Sequence, residues 1–255
     1  MDLLDPPIDK AAVAARIDSL ARRHARAGNI GIRVLNIVGG RAEALVERLP
    51  RVVRGGLAES TERALEIAMG AAQRSRGVIG GQPAWLNRAV TTAMGAAGGV
   101  AGLPSALAEL PITTTVLLRA IQDVAMEYGF DPSEEGVRFD CIQVFAAAGP
   151  LDHDDGADLA FLGARVAMTG RAMQALIARV TPRLSIVLGQ KLAAQTIPVL
   201  GAAAGAATNY AFTSYYQQMA HVHFGLRRLA IEADMSQAEV LEAFRQRVAA
   251  PVKHG

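Results

Sequence analysis

Only one cysteine, Cys141, occurs in the chain. An intrachain disulfide is therefore excluded, and this usage fits a reducing cytoplasm. Aromatic residues are scarce at 5 %, so a core has to be assembled from aliphatic and small side chains. No stretch alternates apolar and polar residues around an Asn-Gly or Asp-Gly turn, which argues against hairpins and a β fold. The Gly-x-x-x-x-Gly-Lys, Gly-x-Gly-x-x-Gly, Gly-x-Ser-x-Gly and His-Glu-x-x-His motifs are absent, which lowers the expectation of a common enzyme class. The formal charge is only +2. No basic run is interleaved with aromatics, so nucleic acid is not an expected partner. Met1-Asp-Leu-Leu-Asp-Pro-Pro7 has neither a basic start nor an apolar core, so no signal peptide is expected.

What is plentiful is small and apolar. Hydrophobic residues make up 51 % of the 255, and glycine alone numbers 25. That length suits one large domain or two small ones, and small residues let helices approach closely. The expectation is all-α: a compact single-domain helical bundle with glycine- and alanine-rich core helices. It spans residues 9–250 behind an extended lead-in at residues 1–8.

Asp9 is placed to cap a first helix that carries Arg16, Arg22, Arg23 and Arg26 and ends near Ala27, at Gly28-Asn29. An apolar piece follows from Ile32 to Leu49, stopped by Pro50. Ser60 or Thr61 then caps a helix from Glu62 to about Arg74. Arginine is frequent across residues 10–76. It makes a solvated cationic face or, read functionally, an attraction to anionic lipid headgroups. Asp131, Pro132 and Glu134 open a helix that reaches about Ala148, with Cys141 on its apolar face as a small core residue. Asp152, His153, Asp154 and Asp155 read as an acidic turn without the calcium-loop pattern. The next helix ends near Arg179, ahead of Thr181-Pro182. His221 and His223 are two apart, so on a helix they diverge by about 200° and do not share a metal; no metal site is expected. Ser236 and Glu239 form a capping box for the last helix.

The most unusual stretch runs from Leu103 to Gly129. Pro111 suits a first helical turn. Thr113, Thr114 and Thr115 suit the free N–H groups of a helix start. Leu110, Leu117, Ile121, Val124 and Tyr128 recur at helical spacing as an apolar face, and Gly129 is a natural stop. Glu109, Thr113, Thr114, Arg119 and Asp123 form a polar set here, with Arg119 and Asp123 four apart. They read as a hydrogen-bonded ion network that fixes helix packing. Joined by Asn209 and His221, they read instead as a small polar site, with Glu109 as acid or base and Arg119 as anion holder.

Two stretches avoid charge, residues 89–108 and, with neutral histidines, Leu192 to Leu226. Twenty helical residues match a bilayer core in length. However, Gly95, Gly98, Gly99, Gly102 and Pro104 interrupt the first stretch. Asn209, Gln217, Gln218, His221 and His223 make the second amphipathic. Gly95 with Gly99, Gly98 with Gly102, and Gly201 with Gly205 are small-xxx-small pairs suited to close helix packing. A core hairpin in a soluble or membrane-surface protein is expected rather than two spans.

Several segments carry a resemblance: Glu109-Leu-Pro-Ile-Thr-Thr-Thr-Val-Leu-Leu-Arg119, then Ile121 and Ala125, then Cys141 to Phe145. Pro198 to Gly201, Asn209-Tyr-Ala-Phe212 and Ala220-His-Val-His-Phe224 continue it. Together they resemble the EcsC family over roughly residues 60–230, most specifically at Glu-Leu-Pro-x-Thr-Thr-Thr. That family is named for a protein encoded beside a bacterial ABC transporter. The resemblance implies a bacterial, largely helical protein associated with membranes, and it supplies no catalytic residues. The expected function is non-enzymatic: binding of lipid or another apolar ligand at the cytoplasmic face of the cell membrane. No cofactor is needed, and the expected partner is a transport or secretion component. The alternative is an enzyme using Glu109, Arg119, Asp123 and Asn209 on an anionic or lipid-like substrate.

Overall fold

The computed structural model describes residues 6–38, 46–47, 49–76, 103–145, 170–195 and 201–249. Side chains are described throughout these except at 30–38, 71–76, 103–109, 170–172, 194–195 and 201–205. Among the described residues every regular element is a helix. In order they are α1 (Lys10–Val38), α2 (Arg51–Arg76), α3 (Leu103–Glu127), α4 (Glu135–Val144), α5 (Gly170–Gln195), α6 (Gly201–Glu232) and α7 (Gln237–Ala249). The helix α6 is central. It packs against α1, α3, α4, α5 and α7, while α2 packs on α3 and α5. The all-α bundle expected from composition is what forms. Among the described residues no helix is long and apolar enough to cross a membrane.

Several helix ends follow the sequence reading. The Ala12 N–H donates to Asp9 Oδ1 at 2.7 Å, so Asp9 does cap α1. The capping box also forms. Glu239 N–H donates to Ser236 Oγ at 3.2 Å, and Ser236 N–H donates back to Glu239 Oε2 at 2.9 Å. α3 stops at Gly129, which takes φ +78°. There the Gly129 N–H reaches the Met126 carbonyl and the Phe130 N–H reaches that of Ala125, the paired bonds of a Schellman end. α6 ends the same way, with Met235 N–H on the Ala230 carbonyl. There the left-handed position is Asp234, at φ +50°.

Other ends differ. α1 runs on through Gly28 and Asn29 to Val38. A mid-helix glycine costs about 1 kcal/mol, and the packing of α1 along α6 outweighs it. α2 starts directly after Pro50, whose carbonyl accepts the Arg54 N–H at 3.0 Å. Ser60 and Thr61 are therefore mid-helix rather than caps. α4 starts at Glu135, one turn late. Asp131 instead closes a turn, its Oδ1 accepting the Ser133 N–H at 2.8 Å and its carbonyl the Glu134 N–H at 3.0 Å.

Two prolines lie inside helices where a start and a stop were expected: Pro111 in α3 and Pro182 in α5. An interior proline costs about 3 kcal/mol through one lost bond and a clash. Both helices are held on several sides, α3 by α2, α4 and α6 and α5 by α2, α4 and α6. Hydroxyls bind carbonyls in the disturbed turns. Thr115 Oγ1 donates to the Pro111 carbonyl at 2.6 Å, Thr181 Oγ1 to that of Ile177 at 2.8 Å and Ser185 Oγ to that of Pro182 at 2.8 Å. Such back-bonding accompanies helix bending. Thr113, Thr114 and Thr115 are thus not acceptors at a helix start.

Glycine does bring helices together, at positions other than those expected. A methyl group on Gly225 of α6 would lie 2.6 Å from Leu20 Cδ2 of α1. On Gly189 of α5 it would lie 2.9 Å from Leu57 Cδ1 of α2. Gly95, Gly98, Gly99 and Gly102 lie outside the described residues, as do the surroundings of Gly201 and Gly205.

Two stability changes of opposite sign follow. Gly225→Val forces Leu20 and α1 outward, and overpacking of this kind costs about 1–3 kcal/mol. Its thermal midpoint should fall by about 2–4 °C for each kcal/mol. Asp234→Gly relieves a left-handed residue that carries a Cβ and should raise the midpoint by a few degrees, for about 0.5–1 kcal/mol. Thermal unfolding followed by circular dichroism checks both.

Candidate functional site

Residues 196–200 alone separate α5 from α6, so the last turns of α5 lie where α6 begins. In those last turns sits Lys191, 1 % exposed, whose Nζ donates to Thr113 Oγ1 of α3 at 3.2 Å. Thr113 therefore belongs to the same end of the bundle. Farther along α6, His221 Nε2 lies 3.9 Å from Oε2 of Glu127, the last residue of α3. α3 and α6 thus run in the same direction. At 1.5 Å per residue, Thr113 lies about 21 Å from Glu127 and level with the turn that holds Thr208 and Asn209.

This level is unusually polar for a helix interior. Thr113, Gln190 and Asn209 are buried there with Lys191. Thr114 and Thr208 are fully buried, and their hydroxyls have no hydrogen-bond partner among the described residues. Thr61 of α2 is in the same condition. It lies one turn beyond Leu57, the residue that abuts Gly189, two positions before Lys191. A buried hydroxyl left unpaired costs about 1–3 kcal/mol.

The far end of α3 gathers a second, more exposed group. Arg23 of α1 donates to Gln218 Oε1 at 3.1 Å. The Tyr128 ring meets the His221 imidazole edge-on, with centroids 5.8 Å apart. Burial pushes the Glu127 carboxyl up, Arg23 pulls it down and Asp123 pushes it up again, leaving it above its ordinary value. Burial, opposed by Arg23, also raises Tyr128.

A third group ties α4 to α6. Arg227 binds Asp140 Oδ2 at 2.5 Å, and His223 Nε2 stands 3.5 Å from Oδ1 of the same carboxylate. The Arg227 guanidinium lies 4.3 Å over the Phe130 ring, a stacked cation. Burial alone would raise the Asp140 carboxyl. The His223 imidazole and Arg227 guanidinium outweigh it and hold the carboxyl below its ordinary range.

The polar set read from the sequence is therefore divided. Thr113, Thr114 and Asn209 share the Lys191 level. Asp123 and His221 belong to the far group, and Arg119 lies between on α3. Glu109 is one turn before Thr113 in α3, with its side chain outside the described residues. His221 and His223 do diverge, toward Glu127 and Asp140 respectively. Among the described residues no group of three His, Cys, Asp or Glu side chains could hold a metal ion. Cys141 is a buried core thiol.

Sequence reasoning missed Lys191, Asp140 and Arg227. The signal for Lys191 was there: it is one of three lysines in the chain, alone among uncharged residues from Leu184 to Ala194. No local signal joins Asp140 to Arg227, which are 87 positions apart.

A family model described as the EcsC protein family matches residues 81–229, more than half of the chain. The match takes in α3, α4, α5 and most of α6, and hence Thr113, Lys191 and Asn209. No curated protein and no solved structure matches the chain.

The Asp140 group gives a pH test. A carboxyl whose pKa is lowered on folding adds stability that is fully present above its ordinary value, near 3.8. That stability is lost as pH falls through the lowered value. Asp140→Asn should cost about 1–3 kcal/mol at neutral pH, and the deficit should shrink as pH approaches 3. Urea midpoints for both proteins across that range check it.

Proposed function

We propose that this chain, which belongs to the EcsC protein family, is a non-enzymatic protein that docks on the cytoplasmic face of a bacterial membrane and binds lipid. The observation that carries the reading is the outward side of α5. Apart from the buried Lys191, the charged residues of that helix are Arg171, Arg179 and Arg183, all of them basic. Arg179 and Pro182 are exposed, Arg183 is half-buried, and Ile186 is 51 % exposed beside them. Basic residues next to an exposed apolar side chain suit an anionic lipid surface.

Neighbouring helices add to it. Ile112 of α3 and Tyr210 of α6 are about half exposed at the level of Lys191, each adjacent in sequence to a buried polar residue of that layer. On α1, by contrast, Arg16 is committed to Glu232 and Arg23 to Gln218. The cationic character of α1 thus serves helix packing as well as the surface. In this reading the protein is an accessory to a transport or secretion system, as the family resemblance implies.

The enzyme alternative has less support from Glu109, Arg119, Asp123 and Asn209, because Asp123 and Asn209 lie at different levels. Its best remaining pair is Thr113 with Lys191, an alcohol beside an amine, a combination that hydrolases use.

Co-sedimentation with vesicles tests the docking. Binding should require anionic lipid and should weaken steeply between about 0.1 M and 1 M salt, over which the screening length falls from roughly 10 Å to roughly 3 Å. Replacing both Arg179 and Arg183 with alanine removes about 1 kcal/mol each, so partitioning should fall by about thirtyfold. Salt-independent binding, or none at low salt, contradicts the reading.

A further inference from the structure

We propose that the outward face of α5 selects, among anionic lipids, those whose headgroup is a bare phosphate monoester. Arg179 and Arg183 grip one phosphate, and Ile186 enters the hydrocarbon beside it. The lipid of that chemistry is phosphatidate. This rests on the docking reading and names the lipid that the same face takes.

The geometry of α5 carries it. At 3.6 residues per turn, Arg179, Pro182, Arg183 and Ile186 fall within about 100° of one another around the helix. Ala175 and Ala178, exposed just before them, are small, so a membrane surface can come close to the helix. The two arginines are four positions apart, about 6 Å along the axis, and both side chains can reach the oxygens of a single phosphate. A guanidinium is a planar fork that pairs with phosphate oxygens two at a time, whereas an ammonium acts as a point charge. Arg183 is half-buried and already interacts within the protein. That contact steadies its guanidinium, whose five donors leave others for a ligand. Arg179 is exposed and free to adapt its side chain. No carboxylate lies on α5 to compete for either. A phosphate monoester brings three acceptor oxygens and a charge of about −1.5 to −2 at neutral pH. A phosphodiester headgroup brings fewer free oxygens and a single charge, so two bidentate cations gain more from the monoester than surface charge alone supplies. The apolar side of the site fits as well. Ile186 is 51 % exposed and lies three positions, about 4.5 Å, beyond Arg183. Phosphatidate has nothing beyond its phosphate to cover the glycerol and acyl carbons, so an isoleucine beside the phosphate reaches them.

The test uses the full chain and phosphatidylcholine vesicles that contain either phosphatidate or phosphatidylglycerol, their anionic fractions adjusted to the same zeta potential. Co-sedimentation reads the partitioning. Phosphatidate vesicles should bind more tightly by about tenfold, the effect of one additional charge-assisted hydrogen bond. Arg179→Lys with Arg183→Lys keeps the charge but not the fork. It should leave phosphatidylglycerol binding unchanged and bring the two lipids within about twofold of each other. Arg179→Lys alone, at an exposed position, should remove about threefold of the advantage, and it decides the matter if the double variant does not fold. Equal partitioning of the wild type onto both lipids, or a phosphatidate advantage that survives the lysine substitutions, overturns this inference and leaves the docking reading in place. Binding to neither kind of vesicle removes both. Displacement from phosphatidate vesicles by glycerol 3-phosphate, at a concentration equal to that of the lipid, would show that the headgroup alone suffices and would overturn the membrane lipid as occupant.

Discussion

The burial of Lys191 constrains this bundle more than any other single feature. Its side chain reaches from α5 to Thr113 of α3 at a level where α6 contributes Thr208 and Asn209. A charge taken out of water has to be answered by polar groups at a fixed height. The register of three helices is set accordingly, and apolar side chains fill the space above and below. Neither proline inside α3 and α5 breaks its helix, because packing on several sides and back-bonded hydroxyls hold the bent turns together.

Away from that layer, the bundle is closed by different means. α1 and α6 meet where Gly225 leaves room for Leu20, so that the Leu20 side chain seats directly on the backbone of α6. Ion pairs then fasten the periphery. Arg16 and Arg228 share Glu232, Arg247 meets Asp18, and Arg227 meets Asp140. Exposed pairs of this kind add about 0–1 kcal/mol each, so they orient rather than drive the assembly. Asp140 differs, being largely enclosed with His223 and Phe130 around it.

The helical class was legible in the sequence because it follows from periodicity and composition alone. Leu110, Leu117, Ile121 and Val124 recur with helical spacing, and all four are buried. Caps that depend on three or four neighbouring residues were also legible, at Asp9, Gly129 and Ser236 with Glu239. Breaks were not. Gly28, Pro111 and Pro182 carry local penalties of about 1–3 kcal/mol, and contacts made by distant residues outweigh them. The site was half legible for the same reason. Thr113, Thr114 and Asn209 stood out as polar residues in apolar surroundings. Their grouping with Lys191, and their separation from Asp123 and His221, depend on the parallel course of α3 and α6, which no local pattern states.

Amine labelling measures the central claim directly, because the chain has only three lysines: Lys10, Lys191 and Lys253. The folded protein is treated with formaldehyde and a mild reductant, and dimethylation at each lysine is followed in time by mass spectrometry. Lys10, which is exposed, should be modified promptly. Lys191 should stay unmodified over the same period and react only when the protein is unfolded in denaturant. Modification of Lys191 at the rate of Lys10 in the native state would mean that its nitrogen faces water, and the buried layer on which this account is built would not exist.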